Sequence, residues 1–191
     1  MPIASGEVTR CKLVLPAVYQ DALTTRGRDE TGVALADIEE REGQRRPVRG
    51  LELAFDPSDP TVVCYRGSRV EYTAEGKLAS YRTWRNATDK KSEQPSTDLL
   101  PVNQAGVLYP PGSLLPEAND YSLIQMLSPT SDEAWLFFMW RFAGWRVRRV
   151  PGKFPAFAEW PGSQEEALWK MHRGGRKDEH FQTLAKHYGI P

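Results

Sequence analysis

The stretch TVVCYRGSRVEYTAEGKLASYRTW, residues 61–84, carries the clearest long-range signal in the chain. It divides into TVVCY, RGS, RVEYT, AEG and KLASYRTW. The first, third and fifth pieces are short runs of β-branched, aromatic and apolar residues, and the other two have the composition of tight turns. Val70, Tyr72 and Ala74 alternate with Arg69, Glu71 and Thr73, and Ala79, Tyr81 and Thr83 continue the same two-residue period. Residues 61–86 therefore predict three short strands joined by tight turns, an antiparallel β-meander.

The flanks extend this reading. EVTRCKLVL (7–15) alternates like a strand that Pro16 ends. A short helix is expected at 17–24, and an amphipathic one at 33–42 with Gly43 as its C-cap. VRGLELAF (48–55) sets Leu51, Leu53 and Phe55 two apart, which predicts another strand, and DPSDP (56–60) predicts a turn.

Past residue 86 the pattern changes. Residues 86–119 hold five prolines among Ser, Asn, Asp and Gly. They predict a long irregular connection with one short strand at 106–109. Asp120 can cap a helix at 121–128. Ser131, or Thr130 with Glu133, can cap the next, DEAWLFFMWRFA (132–143). That helix is apolar nearly all round, and such helices are buried on most sides. WRVRRV (145–150) alternates like a strand, with Arg146 and Arg148 on one face and Trp145, Val147 and Arg149 on the other. Helices at 164–173 and 177–188 follow, the second with Phe181, Leu184, Ala185 and Tyr188 inward and Gly189 as cap.

The expected fold is α+β: an N-terminal antiparallel β-meander with one or two helices, then a mainly helical C-terminal half. A single domain spans 1–191, with a β-rich lobe at 1–92 and a helical lobe at 120–191 joined by the Pro-rich segment 93–119. With 191 residues, 40% apolar and 26% charged, the composition is that of an ordinary globular protein. It argues against disorder and a collagenous repeat. The most apolar run, 134–145, is too short for a membrane span of about 20 residues. The N-terminal MPIASG lacks a basic region followed by an apolar stretch, so no signal peptide is expected and the chain is read as cytoplasmic.

The charge total hides a segregation. Lys+Arg and Asp+Glu are 25 each, net zero. Residues 1–91 hold 15 basic and 14 acidic side chains, 92–140 hold no basic and 6 acidic, and 141–191 hold 10 basic and 5 acidic. Two basic clusters result. One is Arg82, Arg85, Lys90 and Lys91 with Trp84 interleaved. The other is Arg146, Arg148, Arg149 and Lys153, beside Arg141 and Trp145. Guanidinium forks suit phosphates and aromatic faces suit unstacked bases. The competing reading is a solvated face, or internal pairing with the acidic middle. The alternation of WRVRRV already suggests that one of its arginines is structural.

Catalytic motifs are lacking. There is no Walker motif, GxSxG or GxGxxG. Asp56 or Asp59 with Glu75-Gly76-Lys77 has the spacing of a metal-dependent nuclease, but Glu75-Gly76 falls in the predicted turn, where two-metal chemistry would not find rigid carboxylates. His172, His180 and His187 lack metal-ligand spacing. Cys11 and Cys64 form no CxxC pair and read as buried free thiols, with a Cys11–Cys64 bridge as the alternative. No metal, no cofactor and no enzymatic activity is expected.

HFQTLAKHYGI (180–190) resembles the first helix and turn of a helix-turn-helix, but the sequence stops at Pro191, where the reading helix should begin. A second register makes 164–173 the first helix and 177–188 the reading helix, with Lys177, His180 and Gln182 near its start. A plain helical hairpin packed on the core is the preferred reading.

The functional expectation is a non-enzymatic binding protein contacting nucleic acid or a nucleoprotein complex through Arg82, Trp84, Arg85, Lys90, Lys91, Arg146, Arg148, Arg149 and Lys153. An excess of arginine over lysine and the lack of catalytic motifs fit an accessory protein of a bacterium, phage or mobile element. The alternative is a protein-binding module or inhibitor acting through the acidic, Pro-rich 92–119 segment. On sequence alone the 146–153 patch ranks above Arg82 as the anion contact.

Overall fold

The computed structural model describes residues 12–14, 50, 51, 53–102, 106–152 and 175–191. The expected helices at 17–24, 33–42 and 164–173, Cys11, Lys153 and His172 lie outside the described residues. Among the described residues most strands precede residue 110 and the longer helices follow residue 120, so the α+β class holds. The strands are β1 (Lys12–Val14), β2 (Val62–Cys64), β3 (Gly67–Arg69), β4 (Leu99–Pro101), β5 (Val107–Tyr109) and β6 (Val147–Arg149). The α-helices are α1 (Tyr121–Leu127), α2 (Asp132–Phe142) and α3 (Lys177–Tyr188).

A four-stranded sheet runs β1-β5-β2-β6. β5 is antiparallel to both β1 and β2, while β6 is parallel to β2. β2 is central, which explains why TVVCY is apolar at consecutive positions. Val62 and Cys64 join the main core, whereas Val63 joins a smaller cluster with Leu51, Tyr65 and Leu108 on the other face. Both faces are covered, so a strictly alternating pattern is not required.

Within 61–84 the pairing differs from the expected meander. β2 and β3 lie in different sheets, and the Gly-Ser of the expected RGS turn is strand. β3 pairs with β4 through Gly67↔Pro101, Ser68↔Leu100 and Arg69↔Leu99. The AEG turn does form: Tyr72 bridges Leu78, and Gly76 takes the left-handed φ of 75° that the turn needs. The third expected strand is replaced by a 3₁₀ turn at Tyr81–Thr83.

Two further expectations change. The strand expected at 106–109 forms as β5, but the connection at 86–119 also supplies an unexpected strand, β4, to the second sheet, and Leu99, Leu100 and Val107 are fully buried. Residues 50, 51, 53 and 54 are helical rather than strand: Phe55 N–H donates to Leu51 O at 3.1 Å. Leu51 and Phe55 are compatible with either a two-residue or a four-residue period. Leu53 separates them: it is 78% exposed while Leu51 is 1% exposed.

The C-terminal half follows its local signals. Asp120 accepts from Leu123 N–H at 3.1 Å and starts α1. Ser131 accepts from Ala134 N–H at 3.3 Å and starts α2. Ala134 to Trp140 of α2 are all buried. Gly189, with φ of 93°, closes α3. α3 lays Phe181 against Trp84 at 5.0 Å and Phe137 at 5.9 Å between ring centroids. Tyr188 reaches Phe138 at 6.3 Å.

The helical placement of Leu51 and Leu53 makes a sharp prediction. Leu51→Ala should cost about 2–5 kcal/mol, whereas Leu53→Ala should stay within about 0.5 kcal/mol of the parent. Urea denaturation of the two variants measures this, and equal losses would restore the strand reading.

Candidate nucleic-acid interface

Of the nine residues expected at the interface, Lys153 lies outside the described residues, and the other eight divide into those that face solvent and those held inside. Arg82, Arg85, Lys90 and Lys91 are exposed. Trp84 is buried at 8% exposure. Its indole N–H donates to Ala79 O at 3.1 Å, and its ring packs against Tyr81 at 5.5 Å and Phe181 at 5.0 Å. It offers no face to a nucleic-acid base. It instead fixes the segment carrying Arg82 and Arg85 to the core.

The backbone of that segment is pinned along its length. Ser80 accepts from Arg82 N–H at 3.4 Å at the start of the 3₁₀ turn. Arg69 N–H donates to Arg85 O, and Ala87 N–H donates to Gly67 O, both at 2.8 Å, so 85–87 runs beside β3. Asp89 then caps a second 3₁₀ turn, Lys90–Glu93, accepting from Ser92 N–H at 2.9 Å. The same carboxylate pairs with Arg69 at 2.6 Å. The Arg69 bond and that cap hold Asp89 below its ordinary value. The acidic group of this segment is thus engaged by β3.

The second cluster is split, as its alternation predicts: Arg149 and, less deeply, Arg148 turn inward, while Arg146 stays outside. Arg149 lies on the same side as Val147 and is 7% exposed. Its Nε donates to Ser92 Oγ at 3.1 Å, its NH1 to Gly152 O at 2.8 Å and its NH2 to Glu93 Oε1 at 3.1 Å. Every direction of the guanidinium fork meets the protein. Arg148 is half-buried on the opposite side and donates to Ala54 O. Arg146 is exposed and pairs with Asp59.

Arg149 and the first cluster are mechanically linked. Ser92 and Glu93, which hold Arg149, belong to the 3₁₀ turn that displays Lys90 and Lys91. Ser96 also exchanges both backbone hydrogen bonds with Val147 at 2.8 Å. The inner arginine therefore props the turn on which the outer lysines stand.

The start of α3 is likewise held inside. Lys177 is 3% exposed, pairs with Glu133 and sits 4.0 Å from the Tyr81 ring centroid. Burial pulls its ammonium down, but the Glu133 carboxylate and Tyr81 outweigh that and leave it above its ordinary value. Asp178 accepts from Ser80 Oγ at 2.7 Å and Tyr81 N–H at 2.6 Å. His180 is buried and lies 2.8 Å from Thr130 Oγ1. Of the three side chains expected near the start of a reading helix, only Gln182 is exposed. This corrects the second helix-turn-helix register, because Lys177 and His180 join the helix to α2 and its flanks.

Among the described residues no group of His, Cys, Asp and Glu is placed to hold a metal ion. Cys64 carries a fully buried free thiol that burial pushes to about 12 against the weaker pull of Arg149, so the thiolate is not populated near neutral pH. Glu75 and Lys77 sit in the Gly76 turn, and Asp59 is occupied by Arg146. No family model matches the chain, and neither the curated proteins nor the solved structures give a match.

The two ion pairs of the second cluster should differ in weight. Arg149→Ala leaves the Glu93 carboxylate unpaired in a largely buried site and should cost about 3–5 kcal/mol. Arg146→Ala removes an exposed pair and should cost under about 1 kcal/mol. Chemical denaturation of both variants checks this, and a comparable loss for each would contradict the inward assignment of Arg149.

Proposed function

We propose that this protein is a non-enzymatic, cytoplasmic binding protein that contacts nucleic acid, alone or within a nucleoprotein complex, through the exposed basic segment 82–91. The observation that carries the reading is the concentration of exposed Arg82, Arg85, Lys90 and Lys91 within one segment, while the acidic residue among them, Asp89, is engaged by Arg69. Internal pairing reverses the ranking drawn from sequence. Arg149 is buried, Arg148 serves Ala54 O and Arg146 serves Asp59. They support the fold first, and the 82–91 segment is the stronger anion contact.

The physical character of such a contact follows from its parts. Cations on pinned backbone neutralise phosphates and release counterions, so binding is strongly salt-dependent. With Trp84 turned inward, no aromatic from this segment stacks on bases. The expected mode is backbone contact with little sequence preference.

Fluorescence anisotropy with short single- and double-stranded DNA and RNA across a salt series tests this. If all four cations each neutralise a phosphate, the log–log slope is about −3.6 on duplex DNA and about −2.8 on single strands. The Arg85→Glu/Lys90→Glu/Lys91→Glu variant should lose most binding and flatten the slope, while Arg146→Glu should bind nearly as the parent. No binding at low salt, or a larger loss for Arg146→Glu than for the triple variant, would overturn the reading.

A further inference from the structure

The acidic stretch 92–140 builds a second surface of different chemistry. Between β5 and α1 the chain runs PPGSLLPEAND (110–120). Leu115 N–H donates to Met139 O at 3.3 Å, and the Trp135 indole N–H donates to Ala118 O at 3.0 Å. Both bonds anchor the connection to α2. A 3₁₀ turn at Pro116–Asn119 then leads into α1.

These elements enclose a cleft of about 260 Å³, lined chiefly by Tyr109, Pro110, Leu114, Leu115, Pro116 and Ala118. Its wall is part apolar, from the prolines, Leu114 and Leu115, and part polar, with Asn119 at its edge, and it is fixed from behind. The volume lies below the roughly 300–1,000 Å³ of ordinary small-molecule sites. It is of the scale to seat one apolar anchor from a partner, as interface pockets do.

Helix α1 continues the apolar surface. Its Leu123, Ile124 and Leu127 turn toward the core. At 100° per residue, Tyr121, Ser122, Gln125 and Met126 fall on the opposite arc. Tyr121 is 71% exposed and Met126 is 62% exposed. Two large apolar side chains so far into solvent on one short helix are not the scattered exposure of an ordinary surface.

Charge says what covers this surface. Glu117 and Asp120 flank the end of the cleft and the start of α1. The Tyr188 phenol is pushed up first by burial and then by the fields of Glu117 and Asp120. No Lys or Arg occurs anywhere from residue 92 to 140. Glu117 and Asp120 are the only charged side chains of residues 109–127, so this segment disfavours an anionic partner. A cationic one is complementary.

We infer that the cleft at 109–119 and the outer face of α1 together form a docking site for a cationic, amphipathic segment of a partner protein. One apolar side chain of that segment fills the cleft, others pack on Tyr121 and Met126, and its Lys or Arg residues face Glu117 and Asp120. This surface is separate from the 82–91 contact and does not depend on it.

The test uses the full chain and labelled synthetic peptides: a Lys/Leu amphipathic helix, its Glu/Leu counterpart, and a Lys/Ser peptide of equal charge. The Lys/Leu peptide should bind, with affinity falling as salt rises, and the other two should bind at least about tenfold more weakly. Tyr121→Ser/Met126→Ser should weaken Lys/Leu binding about tenfold. Glu117→Gln/Asp120→Asn should weaken it and reduce its salt dependence, because Asn keeps the α1 cap while removing its charge. All four side chains lie at or near the surface, and unchanged thermal melting confirms that the variants fold. The Arg85→Glu/Lys90→Glu/Lys91→Glu variant should bind the peptide undiminished, which separates this site from the nucleic-acid reading. The inference is overturned if the Glu/Leu peptide binds equally well, if no peptide binds, if the α1 variants bind as the parent does, or if sedimentation shows the face occupied by a second copy of the chain.

Discussion

A helix that is apolar on every side can exist only where every side of it is covered, and α2 imposes that constraint on the described structure. Ala134 through Trp140 are all buried. Burying a large apolar side chain is worth roughly 1.5–3 kcal/mol, so this one helix accounts for a major share of the stabilising area. The inner side chains of the four-stranded sheet, the Trp84 turn, α3 and the wall of the 109–119 cleft join it in the main core. A polar residue at Phe137 or Trp140 would leave no side on which to place it. The arrangement of surfaces follows, because each covering element hides one face against this core and shows its other.

The same logic sorts the charges. The net charge of zero conceals an acidic middle and a basic C-terminal third. The structure joins the two at specific points: Glu93 to Arg149 and Glu133 to Lys177. Those pairs fix β6 and the start of α3 to the middle of the chain. Pairs so buried are poor sources of net stability compared with apolar packing, but they are intolerant of losing one partner. They act as registers that place the turns correctly. The basic side chains of 82–91 and the carboxylates of 117–120 remain on the outside, as surfaces of opposite sign.

Much of this was legible in the sequence, wherever a local rule decides. Asp120 and Ser131 at the helix starts, Gly189 at the last helix end, the burial of DEAWLFFMWRFA and the inward turn of one arginine in WRVRRV all depend on neighbours within a turn or two. The misreadings share one cause: their outcome depends on residues far along the chain. Gly67 and Ser68 have turn composition, yet they pair with Pro101 and Leu100. Leu51 and Phe55 satisfy two periods at once, and only tertiary contact chooses between them. Trp84 lies among cations in sequence but points the other way, toward Phe181 of α3. The cleft and the outer face of α1 gave only a compositional hint, the acidic and proline-rich run, since pocket walls come from turns whose geometry no periodicity encodes.

The two arginine-rich clusters are not equivalent: Arg82, Arg85, Lys90 and Lys91 stand outside, while Arg149 of the other braces their turn from within. Residue-resolved labelling of the native chain with amine- and guanidine-directed reagents, read by mass spectrometry, addresses it most directly. The account predicts that Lys90, Lys91 and Arg85 are modified rapidly in the native state, and that Lys177 and Arg149 react only when denaturant unfolds the chain. Labelling of Arg149 and Lys177 at the native-state rate of Lys90 would contradict it.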